Sequence, residues 1–401
     1  MVGEVSGSAA PERGVSCILT VGGLAKETGG AAVVVSELCR ALTELGATVE
    51  LISTGTGPAA IPPSFKTPRT WRLTEVRGFA WPAARVKWAP GFRGAVRRRC
   101  EAAGEVVLHD HGLWLPSNHS VAKVARTLGI PLVISPLGML FPWTRRHKPF
   151  KKRVAWGLYQ RRDLQSASAL HATSWQEFEA LRALGLRQPV AVVPNAFELP
   201  PEDLRSPRSN DPRIALFLSR LTPKKGLDSL LRVWRALRPQ GWRLVIAGPD
   251  EGGYGARLLK QWQVEGQDSA VECIGPVWGQ EKWRLIRTAS VFVLPSRSEN
   301  FGVVIAEALA SGVPVITTKE TPWQEIEHHR CGWWIDGGDE ALSVALGEAI
   351  TLSGAELDQM GARGKVLIEQ EFSSITMARR MIAVYAWLLG RGPQPEGVVV
   401  D

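Results

Sequence analysis

The chain has 401 residues, enough for two domains at roughly 100–200 residues each and for a sizeable core. With 45% hydrophobic and 22% charged residues it has the composition of a folded globular protein, which excludes wholesale disorder. Its net charge of +9 is uneven: residues 1–210 carry 27 Lys and Arg against 16 Asp and Glu (net +11), and residues 211–401 carry 21 against 23 (net −2). Excess positive charge in one half points to nucleic acid, an anionic membrane surface or a phosphorylated substrate as partner.

Residues 1–14 hold Glu4, Glu12 and Arg13 and no long apolar stretch, so they read as a mobile tail and not as a secretory signal. Residues 15–21 (VSCILTV) form a β-rich run ending in glycines, residues 31–45 carry helical periodicity, and residues 48–53 are the next strand. Residues 106–109 and 131–135 are further short strands with helical stretches between them. Residues 198–212 (ELPPEDLRSPRSNDP) hold four prolines and several charges, the composition of an exposed hinge. A second series follows, with strands at 214–218, 243–247, 291–295 and 313–317 and helices at 227–238, 256–265 and 303–310. Residues 376–389 form an amphipathic helix able to pack on either half, and the last ten residues read as a second tail. Strands alternating with helices predict parallel pairing. The expected fold is α/β: two Rossmann-like doubly wound domains, residues 1–207 and 208–375, with the helix at about 376–390 able to pack back on the first. No window of 18 apolar residues occurs, so no membrane-spanning helix is expected. Five scattered cysteines without a C-x-x-C pair speak against a disulfide framework or zinc site and fit a reducing cytoplasm.

The chemistry clusters in the second half. Arg220 and Lys225 follow a strand beside Gly226, well placed to hold a diphosphate, although the pair alone reads equally well as a solvated turn. Residues 247–255 (AGPDEGGYG), with Gly248 and Pro249, form a glycine-rich loop at a strand end, a weak signal alone. No G-x-G-x-x-G or G-x-x-x-x-G-K-[ST] occurs, so neither a dinucleotide fingerprint nor a P-loop is supported. Glu299 then sits in a loop, and Asn300, Phe301, Gly302 and Val303 lead into a helix whose free N–H groups suit nucleotide phosphates. Glu307 lies in that helix between Ala306 and Ala308. A carboxylate in so apolar a segment needs a partner, and a ribose diol fits. Residues 317–325 (TTKETPWQE) form a polar loop facing the same crevice.

The Glu299-x7-Glu307 spacing in its SENFG and EALASGVPVI context, together with Arg220-x4-Lys225, resembles the retaining GT-B glycosyltransferases of family 4 over most of the chain. Gly29 and Gly30, opening the first long helix, match that family's N-terminal glycine loop. His109-Asp110-His111 resembles the stretch carrying its active-site histidine, with His111, next to Gly112, the favoured member. Val193-Pro194-Asn195 resembles its interdomain P-N-G, with Ala196 where the family has glycine. The resemblance implies two domains facing a central cleft, the first binding an acceptor and the second a nucleoside-diphosphate sugar, most simply a UDP- or GDP-sugar. Arg220 and Lys225 would neutralise the leaving diphosphate, Glu307 would hold the ribose, and Glu299 would contact the donor sugar. His111 would touch the sugar or the acceptor from the opposite domain. No metal or cofactor is implied, and the chain has no D-x-D. Retention by double displacement would need a carboxylate nucleophile. Asp110 is the one candidate in the expected loop and reads better as structural, so a front-face mechanism is favoured.

The runs 93–99 (RGAVRRR) and 145–153 (RRHKPFKKR), then Arg161 and Arg162, are interleaved with Phe92, Phe141, Trp143, Phe150 and Trp156. Cations with interfacial aromatics suit an anionic bilayer surface. No nucleic-acid motif accompanies the charge, so nucleic acid is not the expected partner. The leading expectation is a hexosyltransferase acting on a saccharide or polyprenyl-diphosphate-linked acceptor in surface polysaccharide or lipopolysaccharide (O-antigen, exopolysaccharide) synthesis. It would be peripheral on the cytoplasmic membrane face. A nucleotide-sugar epimerase or hydrolase of GT-B architecture, and a non-catalytic membrane-surface module, are the alternatives.

Overall fold

The computed structural model describes residues 14–24, 30–55, 72–81, 86–146, 149–195, 197, 199–201, 212–264 and 270–400. Gly29, Ala196, the expected N-terminal tail up to residue 13 and most of the proline-rich hinge lie outside that set. The chain divides into two compact units, residues 1–196 with 374–401, and residues 197–373.

The first unit runs β1 (Ser16–Val21), α1 (Gly30–Glu44), β2 (Thr48–Gly55), β3 (Arg72–Arg77), β4 (Phe79–Trp81), β5 (Val86–Trp88), α2 (Phe92–Ala103), β6 (Val107–His111) and α3 (Pro116–Leu128). It continues with β7 (Leu132–Ser135), α4 (Pro142–Arg146), α5 (Pro149–Ala155), a π-helical turn (Trp156–Gln160), α6 (Arg161–Gln165), β8 (Ala169–Ala172), α7 (Trp175–Ala183) and β9 (Val190–Val192). The second unit holds β10 (Arg213–Leu218), α8 (Leu227–Leu237), β11 (Trp242–Ala247), α9 (Tyr254–Val264), β12 (Val271–Gly275), α10 (Gly279–Thr288) and β13 (Val291–Leu294). It ends with α11 (Val303–Ala310), β14 (Val315–Thr318), α12 (Glu325–His328), β15 (Gly332–Ile335), α13 (Asp339–Thr351) and α14 (Gly354–Glu371). α15 (Ser374–Leu388) and β16 (Val398–Val399) return to the first unit.

Among the described residues the first unit's main sheet has the order β16-β9-β8-β7-β6-β1-β2-β3, parallel except for β16. β6 and β7 are buried at every position, as expected of central parallel strands covered on both faces. α1 and α15 share one apolar layer, in which Val35, Leu38, Cys39 and Leu42 meet Met377, Met381, Val384 and Tyr385. The amphipathic C-terminal helix therefore packs on the first unit. The last ten residues are not a free tail: Val398 pairs with Ala191 and Val399 with Val190, antiparallel, capping the sheet edge. Two pairing residues are too few for a periodic signal, so the sequence shows no strand there.

The second unit's sheet has the order β12-β11-β10-β13-β14-β15, parallel throughout. Its core includes Trp234, Trp283 and Trp323, which are fully buried with Phe217 and Phe292. β14 begins at Val315, not residue 313, because Pro314 has no N–H for the ladder; only its carbonyl pairs, accepting the Phe292 N–H at 2.9 Å.

Candidate active site

β10 and β13 are neighbours, yet the chain leaves them in opposite directions across the sheet, to β11 and to β14. That reversal opens the crevice at the carboxyl ends of the strands where open α/β sheets take their ligands. The sequence-predicted residues of the second unit converge there. Arg220 and Lys225 follow β10, Gly248 and Pro249 follow β11, and Glu299, Asn300, Phe301, Gly302 and Val303 follow β13.

Lys225 is buried and forms an ion pair with Glu299. It ends a 3-10 turn closed by Gly226 at φ 72°. A Cβ on Gly226 would lie 2.0 Å from the Pro295 carbonyl oxygen, so only glycine lets the β10 and β13 loops approach this closely. Arg220 is exposed, and its Nη1 donates to Glu251 Oε1 at 2.8 Å. Both cations read as a diphosphate clamp are thus held by carboxylates. Nothing in the sequence around Glu251 marks it as a partner of Arg220; it sits in the glycine loop, which is fastened to the Arg220 segment. The Leu221 N–H donates to the Pro249 carbonyl at 2.8 Å, and a Cβ on Gly248 would lie 1.8 Å from the Ser219 oxygen.

The Glu299 N–H donates to the Glu320 carbonyl at 3.0 Å, which ties the Glu299 loop to the polar loop after β14. Burial pushes the Glu299 carboxyl up, but the charges of Lys225 and Lys224 outweigh it and hold the group below the ordinary carboxylate range. α11 starts at Val303 with Gly302 as its cap at φ 78°. The first N–H groups of a helix have no acceptor inside it, and its N-terminus carries partial positive charge. Asn300 lies just ahead, its Oδ1 buried without a partner. The Phe301 side chain belongs to the core, 5.1 Å between centroids from Trp323. Its carbonyl accepts from Trp323 Nε1 at 2.5 Å, so only its backbone N–H is left to serve a ligand.

Glu307 is buried in α11 among Ile305, Ala306, Ala308 and Leu309. The partner its burial demands is Lys282 of α10, whose Nζ stands 2.6 Å from Glu307 Oε1. Burial still raises the Glu307 carboxyl above its ordinary value, with Lys282 offsetting part of the rise. Nearby, a cavity of 430 Å³ is lined by Arg232, Ser296, Arg297 and Asp339 among others. Its arginines are engaged with Asp339 and Asp228 at 2.6 and 2.5 Å, so its charge is already balanced. Among the described residues, no group of three or more His, Cys, Asp or Glu is arranged to hold a metal ion.

In the first unit, side chains alternate along β6, so His109 and His111 share one face, with ring centroids 4.0 Å apart, and Asp110 takes the other. Asp110 accepts from Thr20 Oγ1 at 2.5 Å and Asn118 Nδ2 at 2.9 Å. Burial pushes its pKa up to about 7 against those two bonds. With both oxygens taken, it anchors β1 and α3 to β6. Nothing local in the sequence marks Thr20 or Asn118 as its partners.

His109 is tied on both ring nitrogens, Nδ1 to Tyr385 Oη at 2.6 Å and Nε2 to Ser135 Oγ at 2.9 Å. Ser135 Oγ reaches His171 Nδ1 at 2.5 Å, and His171 Nε2 reaches the Val193 carbonyl at 2.7 Å. The carbonyl can only accept, which orients every proton in the chain: His171 Nε2–H donates to Val193, Ser135 to His171, His109 Nε2–H to Ser135, and Tyr385 to His109 Nδ1. His111 differs. Its Nδ1 donates to the Thr20 carbonyl at 3.2 Å, and its Nε2 is buried without a partner. Burial lowers its pKa to about 3, so the ring is neutral and Nε2 presents a lone pair. Gly30 is the first residue of α1.

The basic stretches differ in their surroundings. Arg97 pairs with Glu101 and Arg99 with Glu50. Phe92 is core, Phe141 and Trp156 are half-buried, and the Trp143 side chain lies outside the described residues. Phe150 is 78% exposed, so the interleaved aromatics do not form one interfacial set. An aromatic beside a cation in sequence need not share its face. No helix among the described residues is long and apolar enough to cross a membrane.

Comparison with known proteins places these features. Residues 201–366 match the model of "Glycosyl transferases group 1", and residues 29–196 match that of "Glycosyl transferase 4-like domain". The chain is 29% identical over 196 residues to the putative colanic acid biosynthesis glycosyltransferase WcaL of Escherichia coli, covering 46% of this chain and 47% of that protein. It is 26% identical over 390 residues to a D-inositol 3-phosphate glycosyltransferase of Pseudarthrobacter chlorophenolicus, covering 90% and 91%. The stretch matched to the WcaL relatives therefore spans under half of their length. The fold is similar to Anabaena Alr3699/HepE in complex with UDP and glucose, with a TM-score of 0.72 at 18% identity, over 93% of this chain and 100% of that one. The two family models together account for most of residues 29–366, and the chain belongs to the family 4 type of GT-B glycosyltransferases.

Proposed function

We propose that the protein is a retaining, metal-independent hexosyltransferase. It moves a hexose from a UDP- or GDP-sugar to a saccharide or polyprenyl-diphosphate-linked acceptor in bacterial surface polysaccharide, O-antigen or lipopolysaccharide synthesis. The observation that carries this reading is the convergence of Arg220, Lys225, Glu299 and the α11 N-terminus where the strand order reverses, with Glu307 one helical stretch further on. The similarity to WcaL favours polysaccharide synthesis, and the fold shared with a protein solved with UDP and glucose favours a nucleotide sugar. In this reading residues 208–375 bind the donor and residues 1–207 bind the acceptor, with the helix at about 376–390 packed back on the latter.

The donor diphosphate draws Arg220 from Glu251 and shares Lys225 with Glu299, while the α11 N–H groups face its oxygens. Glu307 accepts from the ribose hydroxyls. Glu299, kept ionised, accepts from hydroxyls of the donor sugar. As the bond from the anomeric carbon to the diphosphate breaks, an acceptor hydroxyl oxygen bonds that carbon on the same face, and its proton passes to the departing phosphate oxygen. Asp110 takes no part as nucleophile, because both its oxygens are engaged. His111 Nε2, neutral and unpartnered, accepts from a sugar hydroxyl. Gly29 and Gly30 serve the donor through their backbone. With a polyprenyl-diphosphate-linked acceptor, the enzyme works at the cytoplasmic membrane face.

The test is incubation with a panel of nucleotide sugars and saccharide acceptors, with product stereochemistry read by nuclear magnetic resonance. Acceptor-dependent transfer with retained anomeric configuration is the expected result. Inversion would overturn the mechanism, and sugar loss or epimerisation without acceptor would overturn the transferase reading.

A further inference from the structure

The helical segment α5, the π-helical turn and α6 follow one another without a break over residues 149–165. Phe150, Val154 and Leu158 recur at intervals of four, one face of a helix, and are 78%, 44% and 76% exposed. Large apolar side chains in such a row on a protein surface mark an interaction site. Lys151, Arg153, Arg161 and Arg162 are exposed on the same segment. Its one acidic residue, Asp163, is buried and taken by Arg126 and His119, both at 2.8 Å. The outward face therefore combines apolar side chains with cations and carries no exposed carboxylate.

The inward face is fixed. Gln160 Oε1 accepts the Trp114 N–H at 2.8 Å, and Tyr159 Oη donates to the Trp114 carbonyl at 2.8 Å. Trp114 is held at φ 75°, a conformation bulky side chains rarely adopt, and lies three residues past His111. π-Helical turns concentrate at functional places, and this one turns Tyr159 and Gln160 onto the loop that follows His111.

We propose that residues 149–165 form the docking element for an anionic lipid bilayer. Phe150, Val154 and Leu158 enter the headgroup and acyl boundary, and Lys151, Arg153, Arg161 and Arg162 meet the phosphates. Charge complementarity selects this occupant: an apolar row whose exposed charged neighbours on the segment are all cations suits a surface that is apolar within and anionic outside. Docking there holds the His111 end of β6 near the lipid surface, where a lipid-linked acceptor presents its sugar. The last step rests on the proposed function; the docking does not.

The test is sedimentation of the full chain with phosphatidylcholine vesicles, with and without phosphatidylglycerol, over a range of salt. The wild type is expected to bind only the anionic vesicles, with binding that weakens as salt rises. Phe150→Ser with Leu158→Ser is expected to lower partitioning about tenfold or more with unchanged melting, since both side chains are already in water. Arg153→Ser with Arg161→Ser and Arg162→Ser is expected to remove most of the salt dependence. Equal binding to neutral vesicles, full binding by the double variant, or a self-association that the double variant abolishes while the wild type ignores vesicles would each overturn the proposal. Nucleotide-induced shifts in melting, measured beside it, separate the two readings. Vesicle binding without any nucleotide response keeps the docking and removes the transferase, and the converse removes the docking alone.

Discussion

Lys282 Nζ stands 2.6 Å from Glu307 Oε1, joining α10 to α11 across the face of the second unit's sheet. An isolated carboxylate in the apolar α11 would be expensive, and this ammonium keeps it available as an acceptor. Removing one member of a buried pair leaves the other unpaired. Lys282→Met is therefore expected to cost about 2–3 kcal/mol of stability, measured by urea unfolding, and to weaken nucleotide binding as Glu307 turns to its protonated form. Unchanged stability would mean that the Glu307 carboxyl is satisfied without Lys282.

Lys225 and Arg220 each rest on a carboxylate, Glu299 and Glu251. A cation that must meet charge developing on a leaving diphosphate contributes mainly in the transition state. Lys225→Met is expected to lower kcat by about 10²–10³-fold with a smaller change in KM. Glu251→Gln removes the competitor for Arg220, so nucleoside diphosphate is expected to bind more tightly and inhibit more strongly as product. The exposed Arg220–Glu251 pair is worth little, so the gain is expected to be a few-fold, about 1 kcal/mol at most. Weaker product inhibition in Glu251→Gln would show that the carboxylate assists the anion's site.

The two histidines of β6 separate by variant. Ser135→Ala cuts the chain between His109 and His171 and is expected to cost about 1–3 kcal/mol with little effect on the turnover of the folded enzyme. His111→Ala leaves that chain intact, and turnover is expected to fall with donor binding nearly unchanged. The reverse pattern would exchange the roles of His109 and His111.

Burial holds His109, His111 and His171 neutral, lowering His111 to about 3 and His171 to about 4. Below the ordinary histidine range the unfolded chain takes up three protons that the folded chain refuses, so stability falls as pH falls. Asp110, raised to about 7, works against this, because between pH 4 and 7 the folded chain holds one proton that the unfolded chain releases. Two protons remain, or about 2.7 kcal/mol per pH unit between pH 6 and 5, from these four groups. Urea unfolding at several pH values checks it; stability that is flat or rises on acidification would contradict the neutral histidine chain.

The central strands could be read from the sequence because they are short apolar runs ended by glycine or polar loops, a local signal. The strand and helix of residues 291–310 show it best: the run ends, Gly302 breaks it and an apolar helix begins. The edge strands β3 (RLTEVR) and β12 (VECIG) are interrupted by charged residues, lie half-buried or exposed, and carry no such run. What else escaped was set by distance along the chain. The burial of Glu307 announces that a partner exists, but Lys282 lies on another helix and nothing local selects it from its neighbours. His109 and His111 look alike in sequence, and they part only because Tyr385, 276 positions away, returns on α15 to occupy His109. The exposed row at Phe150 and Leu158 is hidden in the sequence because nearness to the basic run does not tell which aromatics share its face. Helical phase, which puts Phe92 and Trp156 against the protein, emerges only once the segments are placed.

The most direct measurement is a calorimetric titration of UDP and GDP into the wild type and Glu307→Gln. The account predicts one nucleoside diphosphate bound per chain by the wild type, a preference between the two bases, and affinity weakened by about tenfold in Glu307→Gln. Absence of binding by either nucleotide, or equal binding by both proteins, would contradict the assignment of the crevice beside β10 and β13 as the donor site.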